Sequence, residues 1–442
     1  VLSVLLSILA APTWAGGAAG DDEHALWRAV ASASPAEAVS LVLRESRLPD
    51  APKAPELVAR LAELGEPGAD AALAILLQRT VPIVAPSDKP QTLSDPQREL
   101  LLGALESWPA QPALERIEDE LELGVTFERT WAAIHVWSVV GTPEHWVRGA
   151  SLATASLDSK RRRELLENAL ELAAQRLARR RPDSFRTFAE AYPRIDPRLR
   201  LHLILGAGAT GDARASELFA HVLATDPAHA PAAVAQAQRM GRSSDARTHE
   251  ALCDALRLQL ANESTTVRNG AARALGAQRD WRSIEALLAL LDDPEASVRA
   301  SAEWSLKKAT GLQWREAGAW RTWHASEVRW QAERMDLIID RLTTSSPKQI
   351  VSALQEAAFH PLFSSESVPW AVDALQSGSA QVRSTAAEAL GRLDSPLAYP
   401  ALIDALQDGA PEVVAAAHAA LTRMSGLALP AESDAWRAAL LD

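Results

Sequence analysis

The chain has 442 residues, 48% of them hydrophobic and 23% charged, which is ordinary globular usage and excludes wholesale disorder. A net charge of −12 argues against generic nucleic-acid binding, because neutralising phosphates requires clustered Lys and Arg. One cysteine, Cys253, excludes an internal disulfide and a Cys-rich metal site. The apolar residues are mainly Ala and Leu, which lose little conformational freedom in a helix, so the expected class is all-α.

In chain order, Val1 to Ala11 is an apolar run followed by Pro12-Thr13-Trp14-Ala15-Gly16-Gly17. It reads as the apolar core of a secretory signal, cut after Ala15, without a basic segment before it. Residues 1–15 are therefore expected to be a signal peptide and the protein periplasmic or secreted. No segment is long enough to span a bilayer.

Residues 23–190 read as a degenerate array of helical hairpins. Leu57, Leu61 and Leu64-Gly65, then Leu73, Leu76 and Leu77, outline one hairpin, and Val140-Gly141 closes another. Thr80 to Pro96 carries four prolines and is expected to be a long exposed loop or hinge. Lys160 to Arg200 holds twelve basic residues, with Glu164, Glu167 and Glu171 interleaved at helical spacing. This predicts a solvated helix face and is the one stretch where a nucleic acid could bind. Gly206-Ala-Gly208-Ala-Thr-Gly211 spells a phosphate-loop pattern but lacks the surrounding strand–helix–strand unit, so it predicts a turn between helices.

A repeat becomes explicit further on. Val267-Arg268-Asn-Gly-Ala271-Ala272-Arg273-Ala274-Leu275 aligns without gaps with the segments Val298-Arg299 to Leu306, Val382-Arg383 to Leu390, and Val413 to Leu421. Apolar residues fall at offsets 0, 4, 7 and 8, one face of an α-helix. Val267 to Val298 and Val382 to Val413 are both 31-residue steps, and partner helices such as Ile284 to Leu291 end at Asp292-Asp293-Pro294. A two-helix unit of this size cannot bury its own apolar face, so neighbouring units must stack. Leu205-Gly206 and Met240-Gly241 extend the pattern backwards in 35-residue steps. A shift of 115 residues carries 267–323 onto 382–438, with Trp320 and Trp436 in similar places. Residues 191–325 thus form one set of repeats with a Trp-bearing closing helix, and 326–442 a connecting helix and a second module.

This pattern resembles the HEAT repeat family, in particular its short bacterial form, also found in phycobilin lyases. The resemblance implies an α-α superhelix in which an Asp and the Arg six residues later build a polar ladder between units. Only Asp293 and Arg299 carry both; Asn262/Arg268, Ser377/Arg383 and Asp408/Val414 are the other equivalents.

Ten scattered histidines offer no metal-ligand spacing. Deoxyhypusine hydroxylases, which share the architecture, use several His-Glu dipeptides, whereas this chain has only His249-Glu250. No cofactor is implied. Cys253 sits at core spacing as a small hydrophobe. Trp320, Trp323 and Trp330, with Leu337, read as a stripe filling the junction between modules. Trp304 falls at offset 6, away from the apolar face, where the equivalents are Arg273, Glu388 and Ala419. Because the second helix of a HEAT hairpin tends to line the concave surface, Trp304, Arg273 and Glu388 are the candidate partner-binding residues. The expected function is an exported scaffold that binds a protein partner on that surface, without catalysis. The alternatives are a lyase-type enzyme handling a cofactor or chromophore and, less favoured, a nucleic-acid-binding protein. Oligomeric state is not encoded in any of these features.

Overall fold

The computed structural model describes residues 29–46, 53–81, 91–155, 159–314, 316–344 and 346–441. The signal-like run at 1–15 lies outside the described residues. The chain divides into two compact units, Val1–Leu177 and Ala178–Asp442. Each is built of helical hairpins, the all-α architecture implied by the repeat.

The first unit contains α1 (Pro35–Glu45), α2 (Ala54–Ala62), α3 (Gly65–Gln78), α4 (Asp95–Ser107), α5 (Ala110–Glu122), α6 (Phe127–Val140), α7 (Pro143–Ala155) and most of α8 (Lys160–Arg180). Helix starts follow local chemistry. Ser34 with Glu37, and Ser94 with Gln97, form reciprocal capping boxes that satisfy backbone N–H groups at the first turns of α1 and α4. The stretch from Thr80 to Pro96 is not one open loop, as its prolines suggested. Thr80–Val81 (β1) pairs antiparallel with Gln91–Thr92 (β2), and Pro96 sits in the first turn of α4, where a missing N–H costs nothing. Helix α6 is buried nearly all round and packs against α3, α4, α5 and α7, so it forms the centre of the unit. The Trp146 indole, from α7, donates to the Leu170 carbonyl of α8 at 2.8 Å.

The second unit continues with α9 (Ser184–Ala191), α10 (Pro197–Gly208), α11 (Ser216–Thr225), α12 (Ala230–Ala237), α13 (Ala246–Gln259), α14 (Thr265–Gln278), α15 (Ile284–Ala289) and α16 (Ala296–Thr310). First helices α9, α11 and α13 pack on one another, and second helices α10, α12, α14 and α16 form a parallel layer beside them. The 28-residue α17 (Ala317–Thr344) follows, then α18 (Pro347–Ala357), α19 (Ser364–Ala374), α20 (Ala380–Leu393), α21 (Tyr399–Ala405), α22 (Pro411–Ser425) and α23 (Ser433–Leu440). Here α18, α20 and α22 make the second-helix layer. Shifting residue numbers by 115 superposes α12–α16 on α18–α22, so the duplication begins near residue 230, earlier than the repeat at 267 revealed.

Val267, Val298, Val382 and Val413 are all buried, as are Leu275, Leu306, Leu390 and Leu421. The second-helix layers pack closely enough to require glycine. A Cβ on Gly276 would lie 2.7 Å from the Ser305 backbone, and one on the equivalent Gly391 would lie 2.9 Å from the Ala420 backbone. Backbone cannot swing aside as a side chain can. Gly391→Ala is therefore expected to lower stability by about 1–3 kcal/mol through overpacking, read from the urea midpoint at unchanged slope.

The polar ladder differs from the expected one. Arg268 donates from Nε and Nη2 to the carboxylate of Asp293 in the next repeat, at 2.9 and 3.1 Å, and Arg383 does the same to Asp408 at 2.7 and 2.8 Å. Each arginine also reaches six residues back, but to a backbone carbonyl: Arg268 to Asn262, Arg299 to Asp293, Arg383 to Ser377. Asp293 and Arg299 thus do not pair through their side chains. The side chains of Asn262, Asp293, Ser377 and Asp408 instead each accept the N–H two residues on, at the entry to the next helix. Asn, Asp and Ser all perform that task. The rungs need only an Arg in one repeat and an Asp in the next, and two of them form.

Candidate functional site

Arg273 on α14 and Trp304 on α16 come together on the second-helix layer. The Arg273 guanidinium lies 4.6 Å from the centroid of the Trp304 ring, a cation–π contact, and Trp304 remains 37% exposed. Glu388 is exposed at Arg273's place in the other copy, on α20. Of the three candidates, the structure joins two.

The tryptophan stripe divides along α17. Trp320 is fully buried against Trp314 and Trp323, with ring centroids 5.0 and 6.1 Å away. Trp330 stacks on His360 at 3.6 Å and donates to Glu356, whose carboxylate also receives a two-pronged bond from Arg334. Glu327 is buried and meets His360 Nδ1 at 3.0 Å. Leu337, expected on this face, is exposed, and Met335 and Ile338 take the buried positions instead. The buried line of α17 runs through Trp320, Glu327, Met335 and Ile338, and Leu337 falls one position to its side.

A third feature escaped the sequence reading. The turn after α14 and the turn after α20 are 115-residue equivalents, and both close on a left-handed residue, Arg279 and Asp394, each with φ 52°. These two residues form an ion pair with each other: Arg279 Nη1 lies 3.2 Å from Asp394 Oδ2. Arg242 Nη1 lies 2.9 Å from the other carboxylate oxygen, misaligned for a hydrogen bond, so Asp394 is clamped between two guanidiniums. The two copies therefore meet through like turns. Around this point a cleft of about 320 Å³ is lined by the start of α13 and the turn after α14 from one copy, and by the start of α19 and the turn after α20 from the other. That reciprocal pattern is what an approximate two-fold between duplicated modules produces.

The cleft is ionic, with one aromatic wall. Arg257 donates to both oxygens of buried Asp280, at 2.8 and 2.9 Å, and to Glu250 at 3.0 Å; Arg282 also pairs with Glu250. Burial works against the charge on Arg257, yet the bonds to Asp280 outweigh it and raise its pKa. Trp281 is half-buried in the wall and Leu397 is exposed on the rim.

Beneath the cleft, His249 Nε2 lies 3.7 Å from the Cys253 sulfur, one helical turn away on α13. Sequence alone assigned this thiol no base. Burial, reinforced by the nearby Arg242, brings the His249 pKa down to about 4, and burial drives the Cys253 thiol well above its usual value. Both shifts favour a neutral imidazole beside a protonated thiol, the form a small buried hydrophobe takes.

The basic stretch is ion-paired along its length. Arg162 faces Glu128, Arg176 pairs with Glu99, and Arg200 donates to Asp226 at 2.8 Å. The glycine pattern is divided as well: Gly208 packs against Gln236, where a Cβ would not fit, and Gly211 makes the turn at φ 68°. Among the described residues no cluster of His, Cys, Asp or Glu could hold a metal ion, and no helix is long and apolar enough to cross a membrane.

The 115-residue copies coincide with a family match. The model for HEAT repeats matches residues 232–307 and 335–422, two blocks that end 115 residues apart. These stretches are HEAT repeats. No curated protein matches the chain. Among solved structures, an engineered protein matches 91% of this chain and 99% of its own at 14% identity, with a TM-score of 0.32. Kap121p bound to Nup53p matches 92% of this chain and 52% of its own at 10% identity, TM-score 0.27. Kap121p bound to Pho4p matches 96% and 52% at 10% identity, TM-score 0.24. The chain spans about half the length of Kap121p.

Proposed function

We propose that this HEAT-repeat chain is an exported, non-catalytic scaffold that binds a protein partner on its second-helix layer. The observation that carries this reading is the open Trp304–Arg273 pair. An indole half in solvent with a guanidinium stacked on it is the residue chemistry enriched at binding hot spots. The arginine is held in place before binding, so less side-chain entropy is lost when a partner docks. Support for export is the apolar run and small-residue cut site at residues 1–15.

The test is capture of partner chains from an envelope extract of the source cell by the tagged wild-type protein. Trp304→Ala with Arg273→Ala is expected to lose at least about tenfold of that capture while keeping its helical circular dichroism, the weight of a typical hot-spot pair. Undiminished capture by the double variant would remove this face from the reading. Fractionation of the source cell tests export separately, and a wholly cytoplasmic protein would refute it.

A further inference from the structure

We infer that the cleft between the two HEAT copies is a binding site for a carboxylate carried on an apolar body. The inference is independent of the Trp304 face, sharing no residue with it.

The argument starts from unequal hydrogen-bonding capacity. Arg242, Arg247, Arg257, Arg279 and Arg282 bring five guanidiniums to the cleft and its floor, each with five N–H donors in a planar fork. The carboxylates there are Glu250, Asp280 and Asp394, with Asp245 beside Arg247. Each of the first three is already held by arginine: Asp280 by Arg257, Glu250 by Arg257 and Arg282, Asp394 by Arg242 and Arg279. These guanidiniums carry more N–H donors than the carboxylates take up, and Arg242 Nε and Nη1 make no hydrogen bond at all. A ligand entering this space gains by bringing acceptor oxygens and loses by bringing donors.

Charge sets the type of acceptor. Among the residues that line the cleft, four guanidiniums stand against three carboxylates, Arg257 beneath them being matched by Asp254, so one unit of positive charge is left, which a single carboxylate neutralises and a doubly charged phosphate would overshoot. The donors that face solvent are Arg247, Arg279 and Arg282; the last two side chains are 43% and 58% exposed. Guanidinium recognises carboxylate through two parallel bonds, which suits these planar groups. The rest of the lining sets what the carboxylate is attached to. Trp281 offers an aromatic wall and Leu397 an exposed aliphatic rim, so the body is apolar. A volume of about 320 Å³ accommodates a small organic acid or the last residue or two of a chain, not a folded surface.

The site exists only while both copies are in place, because both contribute to the lining. Its ligand therefore stabilises the closed arrangement by mass action.

Three probes distinguish the sources of the carboxylate: N-acetyl-phenylalanyl-leucine, its C-terminal amide, and phenylacetate, each titrated to about 10 mM against the full chain by saturation-transfer NMR, which reads sites with a Kd near 1 mM. The peptide acid is expected to bind and the amide not. Binding of the peptide acid alone assigns the site to a chain end; equal binding of phenylacetate assigns it to small organic acids. Arg282→Gln and Arg247→Gln, both at exposed positions, are each expected to weaken the acid about tenfold with circular dichroism unchanged, the weight of one charge-assisted bond. Equal binding of acid and amide, no binding of either acid, or full binding by both variants would overturn the inference.

Discussion

Asp394→Asn is expected to lower the unfolding free energy by about 3 kcal/mol, near the lower end for breaking a buried ion pair. Asp394 is the one carboxylate between Arg242 and Arg279, and its side chain and that of Arg242 are largely withdrawn from water. Neutralising it leaves two guanidiniums facing each other where the copies meet. Arg279 is partly exposed and can turn toward solvent, which is why the higher end of that range is not expected. Asparagine is the informative replacement because it tolerates the left-handed φ of 52° at this position. Asp394→Ala adds about 1 kcal/mol of backbone strain to the same electrostatic loss. Urea unfolding of the two variants separates the terms. An Asn variant within about 0.5 kcal/mol of the wild type would show that this contact is worth no more than a surface pair.

Trp320→Ala is expected to cost about 3–5 kcal/mol, the range for emptying a fully buried aromatic site. The ring packs edge-on between Trp314 and Trp323, where the first HEAT copy gives way to the long helix α17. Truncation leaves a void that two large rings cannot collapse to fill without leaving their own contacts. Trp436 has the corresponding place after the second copy, equally buried, with its indole N–H on the Pro430 carbonyl at 2.7 Å. The readouts should differ. Trp436→Ala is expected to raise hydrogen exchange mainly in α22 and α23, because its ring lies against His418 of α22, 5.9 Å between centroids. Trp320→Ala should lower the whole second unit's transition, since α17 contacts α15, α18 and α19. Identical exchange patterns for the two variants would contradict that distinction.

The repeat was legible because its cause is local. Val267, Val298, Val382 and Val413 are spaced so that one helix face is apolar, and a two-helix unit has only its neighbours to bury that face against. Arg273 and Trp304 were legible as a pair for the same reason: equal offsets on adjacent, parallel second helices bring equivalent positions within side-chain reach. The Asp–Arg ladder was only half legible. The family resemblance implies partners six residues apart, but the arginine spends that reach on a carbonyl, which no side-chain pattern reports. It takes its carboxylate from 25 residues ahead. Leu337 was misplaced because the buried line of α17 passes through Met335 and Ile338, one position away from the line drawn through Trp323 and Trp330.

The cleft was hidden for a different reason. Arg279 and Asp394 have opposite charges at equivalent positions, and that sign change was the available signal. A translation of 115 residues states that two modules are alike without stating how one is set against the other. Periodicity alone determined the helices, their buried faces and the duplication, since these depend on contacts between neighbours in a row. The tertiary structure alone decided that the copies meet through like turns. That choice rests on where α17 carries the chain and on a carboxylate shared by two arginines, interactions with no period in the sequence.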